Sequence, residues 1–236
     1  MKLSGRTKEA EMGNIIVKSF GGFAFLLLVL ALVLFISAGS LSFWQAWVYL
    51  TVFALCTLLI TAYLIQYDQN LLASRVKAGP VAEPQKRQQL IQSLASLFFI
   101  GLFIVSGLDY RFHWSDVPPV VSLISDGLVV LGFLIVFLVF RENSYTRATI
   151  EVSQEQQLIT SGPYRVVRHP MYAGASLLLI FSPLALGSWV ALPLSIGLIL
   201  VVVFRLLEEE KFLLTHLSGY EAYCQQVRYH LIPFIW

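Results

Sequence analysis

One short block of the chain carries an unusual density of polar side chains. Residues 162–174 read GPYRVVRHPMYAG, which includes two arginines, one histidine and two tyrosines. The block opens onto a charge-free run that extends from Pro170 to Phe204. Polar groups at the edge of a membrane span cost free energy and usually serve a function. The block therefore predicts a ligand-binding segment.

A second polar group lies where this charge-free run ends, at Arg205 and Glu208–Glu210. The run is too long for one membrane helix of about 20 residues, so it predicts a helical hairpin. A hairpin returns the chain to its starting face and places Arg205 and Glu209, which share one helix face, beside Arg168 and His169. Cations, an imidazole and carboxylates together suit a ligand that carries both charges, such as an amino acid group.

Each of these polar side chains also has an ordinary structural interpretation. Arg165 and Arg168 alone could be positively charged anchors at the cytoplasmic face. Arg205 and Glu209 alone could form a structural ion pair. Other residues are predicted to lie at the surface or at the membrane interface. Glu208–Glu210 alone is typical of a solvated helix start, and His216 and His230 are predicted to be surface residues. The predicted interfacial aromatics are Tyr220, Tyr223, Tyr229 and Trp236. The joint occurrence of the two polar groups favours a site.

Composition assigns the chain to the membrane class. Hydrophobic residues make up 57% of the sequence, charged residues 13%, and the mean hydropathy is +0.74, which excludes an ordinary soluble domain. The charge-free run between Lys18 and Asp68 requires two helices with a turn at residues 37–42. Further spans fit Leu90–Leu108 and Val120–Phe140, and the C-terminal hairpin turns at residues 186–189. The fold predicted is an all-α membrane bundle of about six transmembrane helices.

The basic residues set the orientation of this bundle. With six spans, every one of the 16 lysines and arginines except Arg111 falls on one side of the membrane. Basic residues are retained in the cytoplasm, so both termini and the 141–170 loop are expected there, in a multi-pass protein of a bacterial inner membrane. The small net charge of +2 argues against a nucleic-acid partner. Cys56 and Cys224 form no metal or redox pattern, so no metal is expected.

The polar chemistry is distributed unevenly along the chain. Residues 1–140 are interpreted as a scaffold of four helices, with Asp126 predicted near the outer interface, close to a helix N-terminus. Residues 141–236 hold nearly all the unusual polar chemistry, on a polar loop, the helical hairpin and a C-terminal helix that continues out of the bilayer. The site is therefore predicted on the cytoplasmic face.

The motif pattern in residues 141–236 resembles the isoprenylcysteine carboxyl methyltransferase family. The residues that carry the resemblance are Gly162-Pro163-Tyr164, Arg168-His169-Pro170, Tyr172, Gly174, Arg205, Glu209-Glu210, Gly219-Tyr220, Tyr223, Val227-Arg228-Tyr229 and Ile232-Pro233. Ser218 departs from the phenylalanine that many members have at this position. The first four helices resemble the family only in being apolar.

This resemblance implies an integral membrane enzyme that uses S-adenosylmethionine in a cytoplasmic pocket. It implies catalytic roles for Arg205, which would orient an acceptor carboxylate, and for Glu209, which would also contact the cofactor. The implied cofactor-binding residues are Gln156, Gln157, Leu158, Ile159, Tyr164, His169, Pro170, Met171, Tyr172, Glu209 and Glu210. The acceptor would be a lipophilic small molecule, a lipidated substrate or a membrane lipid that enters from the bilayer.

The acceptor stays open at this stage. A carboxylate is ionised at neutral pH and needs no general base. The amine of phosphatidylethanolamine would need one, and Glu209, Glu210 or His169 would supply it. A sterol-type reductase that uses NADPH has a similar tyrosine and proline pattern but fits the Glu209-Glu210 and His169-Pro170 motifs less well. A transporter or assembly factor would place polar residues at the midplane of the first four helices, which are largely apolar.

Overall fold

The computed structural model describes residues 2–76, 86–146 and 157–236. Within these ranges it describes the side chains from residue 13 onward, except that of residue 76. These ranges contain helices and turns and no β-strand. The helices are α1 (Lys2–Ala38), α2 (Trp44–Tyr67), α3 (Gln69–Val76), α4 (Lys86–Phe112), α5 (Pro119–Glu142), α6 (Pro170–Ala185), α7 (Leu192–His216) and α8 (Tyr220–Gln226). The predicted all-α class is confirmed.

Four of these helices are long and apolar enough to cross a membrane, namely Gly13–Ala38 of α1, α2, α4 and α5. They are the four spans predicted for the first part of the chain. Helix α6 is apolar but has 16 residues, about 24 Å, which is less than the roughly 30 Å of a hydrocarbon core. Helix α7 is longer but carries Arg205, Glu208 and Glu209. The fifth and sixth spans therefore remain predictions.

The turn between α6 and α7 is tied to the end of α4. Gly187 adopts a left-handed conformation with φ +72°, which favours glycine. The hydroxyl of the next residue, Ser188, donates a hydrogen bond to the buried Asp109 at 2.5 Å and accepts one from the backbone N–H of Ala191 at 3.1 Å. Asp109 also accepts from the backbone N–H of Ser115 at 2.8 Å. These bonds satisfy a buried carboxylate and fix the hairpin against α4.

The closest approach between α5 and α6 occurs at two glycines. A Cβ atom at Gly132 would lie 2.9 Å from the carbonyl oxygen of Gly174, and a Cβ at Gly174 would lie 3.0 Å from the carbonyl oxygen of Gly132. Small residues let membrane helices approach with their backbones nearly in contact. This contact positions the start of α6, whose first five residues are the end of the 162–174 block.

Replacing Gly174 with valine is expected to separate α5 from α6 and destabilise the protein by about 1–3 kcal/mol, the usual cost of overpacking. Gly127 on α5 provides a matched control, because a Cβ there would meet no atom within 4 Å. Thermal unfolding of the two purified variants in detergent measures the difference. Equal midpoints for Gly174→Val and Gly127→Val would contradict this account of the contact.

Helix α3 was not predicted from the sequence. Asp68 ends α2, and its carboxylate then accepts a hydrogen bond from the backbone N–H of Leu71 at 2.9 Å, which starts α3. Leu71 and Leu72 are buried with Phe140 in a small apolar cluster against which Met171 packs. Burial of these leucines holds α3 in this cluster, together with residues of α1 and α2.

The C-terminal segment folds back on the 162–174 block. Gly219 has φ +81° and separates α7 from α8. The backbone N–H groups of Arg168 and His169 then donate to the carbonyl oxygens of Tyr229 and His230 at 2.8 and 3.0 Å. The end of the chain is therefore part of the same structural unit as the block.

Asp126, predicted near the outer interface, lies in the third turn of α5 and is 4% exposed. Its carboxylate oxygens have no hydrogen-bond partner within the described residues.

Candidate functional site

The structure separates the predicted polar residues into two clusters that share helix α7. Adjacent helical residues point about 100° apart, so Glu209 and Glu210 face different neighbours. The Glu209 cluster consists of Tyr172, Glu209 and Arg205, which are in contact, and of Tyr164 and Arg75, which interact electrostatically with Glu209. The Glu210 cluster consists of Arg168, His169, Glu210, Tyr220 and His230.

Tyr172 and Arg205 hold the polar groups of the Glu209 cluster in place. The hydroxyl of Tyr172 donates a hydrogen bond to the carboxylate of Glu209 at 2.5 Å. Arg205 also contacts Tyr172, and its Nη1 donates to the side-chain oxygen of the buried Gln88 on α4 at 3.2 Å. Arg205 and Glu209, predicted to share a helix face, therefore meet the same tyrosine of α6. Gln88 was missed in the sequence because its partner lies in a distant helix.

Tyr164 is positioned by contacts on both its ring and its backbone. The side-chain amide of Asn143 donates to its hydroxyl at 2.9 Å, and the hydroxyl of Tyr223 donates to its carbonyl oxygen at 2.7 Å. Burial, with a smaller contribution from the charge of Glu209, raises the pKa of Tyr164 to about 12. The phenol is therefore neutral at physiological pH and offers a hydroxyl and an aromatic ring. Tyr223, predicted as an interfacial residue, is instead buried.

Arg75 is the member of the Glu209 cluster that sequence reasoning missed. Its guanidinium carbon lies 4.7 Å from the centre of the Phe140 ring. Burial is the main cause that lowers the pKa of Arg75 to about 10, and the charges of Tyr172 and Glu209 oppose that shift. The side chain is thus still a cation at neutral pH. The available sequence signal was the spacing of Leu71, Leu72 and Arg75, which puts them on one face of a short helix.

The Glu210 cluster is a buried ion-pair network. Glu210 contacts Nη2 of Arg168 at 3.0 Å and Nε2 of His230 at 2.8 Å, and Arg168 also contacts His230. The three side chains are 11%, 10% and 19% exposed. The prediction that His230 is a surface residue was therefore wrong, because the C-terminal segment folds over the block. Burial is the largest effect on His230 and lowers its pKa.

His169 lies at the boundary of the two clusters and is 5% exposed. Its Nε2 lies 3.3 Å from the hydroxyl of Tyr220, which is buried and not an interfacial residue as predicted. Burial and then the neighbouring His230 and Arg168 lower the pKa of His169 to about 3. The imidazole is therefore neutral at physiological pH and cannot contribute a positive charge to a ligand.

This depressed pKa predicts a loss of stability in mild acid. An unfolded histidine titrates near 6.5, so below that pH the unfolded chain binds a proton that folded His169 excludes. Stability from this group is complete above pH 6.5 and falls as pH decreases toward 3, by roughly 2 kcal/mol at pH 5. Thermal unfolding of wild type and His169→Gln between pH 5 and 8 measures the effect. If the unfolding midpoint changed with pH equally in both proteins, the predicted effect of His169 would be contradicted.

The remaining predicted cofactor residues lie around these clusters. Gln156 is outside the described residues. Gln157 is exposed, Leu158 and Ile159 are half-buried, and Leu158 lies next to Gly219. Pro170 begins α6 and Met171 packs on the apolar cluster below it. The structure thus brings Tyr164, Tyr172, Arg205 and Glu209 together and engages Glu210 with other protein groups, and the predicted roles of all these residues in binding a cofactor stay predictions.

The described residues contain no group of three or more histidines, cysteines, aspartates or glutamates placed to hold a metal ion. The prediction that the site uses no metal rests on the sequence, in which Cys56 and Cys224 form no metal-binding pattern.

Comparison with known proteins connects this geometry to a reaction class. Residues 120–218 match the family model of phospholipid methyltransferases. The fold is similar to the solved structure of a eukaryotic intramembrane Ras methyltransferase, isoprenylcysteine carboxyl methyltransferase, with a TM-score of 0.55 and 20% sequence identity. That similarity covers 100% of this chain and 87% of the solved chain. None of the curated protein sequences compared with the chain matches it.

The matched segment runs from the start of α5 to just past α7 and contains Tyr164, Tyr172, Arg205 and Glu209. The family model describes phospholipid methyltransferases, and the solved structure with a similar fold is also that of a membrane methyltransferase. Within that class the architecture is similar to isoprenylcysteine carboxyl methyltransferase, as the motif pattern predicted. The two findings differ in the acceptor named, a phospholipid in one and isoprenylcysteine in the other.

Proposed function

We propose that the chain transfers a methyl group from S-adenosylmethionine to the carboxylate of a lipophilic, isoprenylcysteine-like acceptor at the Glu209 cluster. The observation that carries the proposal is the placement of Arg205 beside Tyr172 and Glu209. A cation next to a fixed carboxylate can orient an anionic acceptor on one side and a positively charged donor on the other.

The residues of the cluster fit this cofactor. S-adenosylmethionine carries a sulfonium that makes its methyl group electrophilic, an ammonium, a carboxylate and an adenine ring. Glu209 supplies a negative charge complementary to its cationic groups, and Tyr164 supplies a neutral ring against which an aromatic base can pack. Residues 156–159 and His169–Tyr172 would complete the pocket, with His169 acting as a neutral hydrogen-bonding group.

The proposed mechanism needs positioning and no proton transfer. An acceptor carboxylate is already ionised at neutral pH, so a general base is unnecessary. Arg205 would hold that carboxylate in line with the methyl carbon and the sulfur, and alignment of this kind contributes up to about 7–11 kcal/mol. Exclusion of water by the buried tyrosines would favour the neutralisation of a sulfonium by a carboxylate. The structure is consistent with a reaction that needs no general base. Glu209 and His169, two groups that could act as one, are already engaged in hydrogen bonds with tyrosines.

The placement in the membrane forms part of the proposal. The basic residues assign both termini and the 141–170 loop to the cytoplasm, where a soluble cofactor is available. An acceptor with an apolar tail would reach the site laterally from the bilayer. Residues 141–236 would form the catalytic region and residues 1–140 its scaffold, apart from the contributions of Arg75 and Gln88.

Phospholipid N-methylation is the second candidate, and the family match of residues 120–218 favours it. An ammonium acceptor must lose a proton before it can attack the methyl carbon. Glu209 would be the base, and its hydrogen bond from Tyr172 would have to be exchanged for one from the amine. The presence of two arginines in the cluster favours an anionic acceptor over a cationic one.

One experiment separates these candidates. Purified protein in lipid nanodiscs is incubated with methyl-labelled S-adenosylmethionine and either an N-acyl S-farnesylcysteine or phosphatidylethanolamine, and the labelled product is identified. We expect a base-labile methyl ester on the farnesylcysteine. A base-stable N-methyl product on the phospholipid would replace the first candidate by the second. Binding of NADPH in place of S-adenosylhomocysteine, with no labelled product, would refute both.

A further inference from the structure

We infer that Arg75 on α3 binds the anionic group of the methyl acceptor, so that the N-terminal helices take part in substrate recognition. This inference rests on the proposed methyl transfer at the Glu209 cluster and names a further acceptor-binding residue for it. Arg75 lies outside the segment that matches the methyltransferase family model. It is the contribution of α3 to a cluster otherwise formed by the second half of the chain.

The charges around Arg75 favour a bound anion. Arg75 and Arg205 are both cations, whereas Glu209 is the one carboxylate that acts on Arg75 among the described residues. The repulsion between the two arginines is unfavourable in a partly buried site unless another anion joins them. A bound carboxylate or phosphate monoanion would balance the cluster.

Arg75 also has an unsatisfied hydrogen-bond donor. Its Nε is buried and has no hydrogen-bond partner in the described part of the chain. A guanidinium presents its N–H groups in a plane that matches the two oxygens of a carboxylate or phosphate. The Phe140 ring lies 4.7 Å from the guanidinium carbon and limits its possible orientations.

The location of Arg75 suits the acceptor and not the cofactor. Helix α3 follows the membrane-spanning α2 after one residue, Asp68, and its leucines are buried in an apolar cluster formed with α1, α2, Phe140 of α5 and Met171 of α6. Arg75 therefore lies at the membrane boundary, where the polar head of an acceptor with an apolar tail would be held. The cofactor residues implied by the motifs all lie in residues 156–172 and 209–210, on other elements.

The test compares wild type with Arg75→Ala, Arg75→Lys and the control Arg87→Ala in nanodiscs. Arg87 is an exposed arginine on α4 whose side chain is 72% accessible, so its removal changes the net charge equally. The KM for N-acetyl S-farnesylcysteine is measured at saturating S-adenosylmethionine, and the Kd for S-adenosylhomocysteine is measured by calorimetry. For Arg75→Ala we expect the KM to rise about 10- to 100-fold, as for the loss of a charged hydrogen bond, with the Kd changed less than twofold. Arg75→Lys should be intermediate, because it keeps the charge and loses the planar fork.

A binding measurement without cofactor makes the result independent of turnover. Wild type and Arg87→Ala should bind N-acetyl S-farnesylcysteine more tightly than its neutral carboxamide, and Arg75→Ala should bind the two equally. A raised Kd for S-adenosylhomocysteine with an unchanged KM would assign Arg75 to the cofactor carboxylate and overturn the inference, as would unchanged values of both. If wild type forms no labelled product from either acceptor, the proposed function fails, and the carboxylate–carboxamide comparison still decides the role of Arg75.

Discussion

Replacing Arg205 with alanine is expected to reduce the rate of methyl transfer by about 100- to 1000-fold, the effect of removing one preorganised charged donor from an active site. The reason is that the proposed reaction depends on alignment of an acceptor that is already ionised. Arg205 is the group fixed for this task, by Gln88 on one side and Tyr172 on the other. Single-turnover rates at saturating cofactor measure the loss in the chemical step directly.

Two further variants make this result specific. Arg205→Lys keeps the positive charge but lacks the planar guanidinium that can bond to Gln88 and to the acceptor at the same time, so we expect partial activity. Lys211→Ala removes a charge from the same helix at a side chain that is 74% exposed, and it should behave as wild type. Wild-type turnover in a folded Arg205→Ala protein would remove Arg205 from the mechanism.

The sequence was sufficient to predict the main helices and the two ends of the site. Charge-free runs have a direct physical meaning in a bilayer, because each must be divided into segments of about 20 residues. For that reason the turns at residues 37–42 and 186–189 were located correctly. The return of Arg205 and Glu209 to the start of α6 was expected from the hairpin. The neighbours predicted for them were Arg168 and His169, whereas the structure places Tyr172 against both.

Contacts that depend on distant parts of the chain were not predictable in the same way. Arg75 appeared to be one more cytoplasmic cation, because nothing local shows that α3 packs so that Arg75 lies over the Phe140 ring. His230 appeared to be a surface residue, because its partners Glu210 and Arg168 are reached only when the C-terminal segment folds over the block. Both errors have the same origin: charge patterns assign a residue to a side of the membrane but do not give its neighbours on that side.

The separation of Glu209 from Glu210 could be deduced only in part. Adjacent positions on a helix must diverge, but the helix geometry does not say which of the two faces the site. The structure assigns Glu209 to Tyr172 and Glu210 to the cation pair Arg168 and His230. Glu210 was implied as a cofactor residue by family resemblance, and its contacts give it a strong structural reason to be present whether or not it also meets a cofactor.

Glu210→Ala is therefore expected to destabilise the protein by about 3–5 kcal/mol, because it leaves Arg168 buried without its counter-charge. Thermal unfolding in detergent should show a decrease in midpoint of roughly 10 °C or more. The neighbouring Glu208 is the matched control, since its partners Arg87 and Lys211 are 72% and 74% exposed. Exposed ion pairs contribute about 0–1 kcal/mol, so Glu208→Ala should unfold close to wild type.

The Glu210 variant also tests how the C-terminal segment is held. The backbone N–H groups of Arg168 and His169 still donate to the carbonyl oxygens of Tyr229 and His230, so loss of the Glu210 carboxylate should loosen the segment without removing every contact. Amide hydrogen exchange at residues 229–236 should then increase in Glu210→Ala and stay unchanged in Glu208→Ala. Equal stability of the two variants would mean that the buried network contributes little, and that the segment is held by its backbone bonds and by the apolar contacts of buried Leu231 alone.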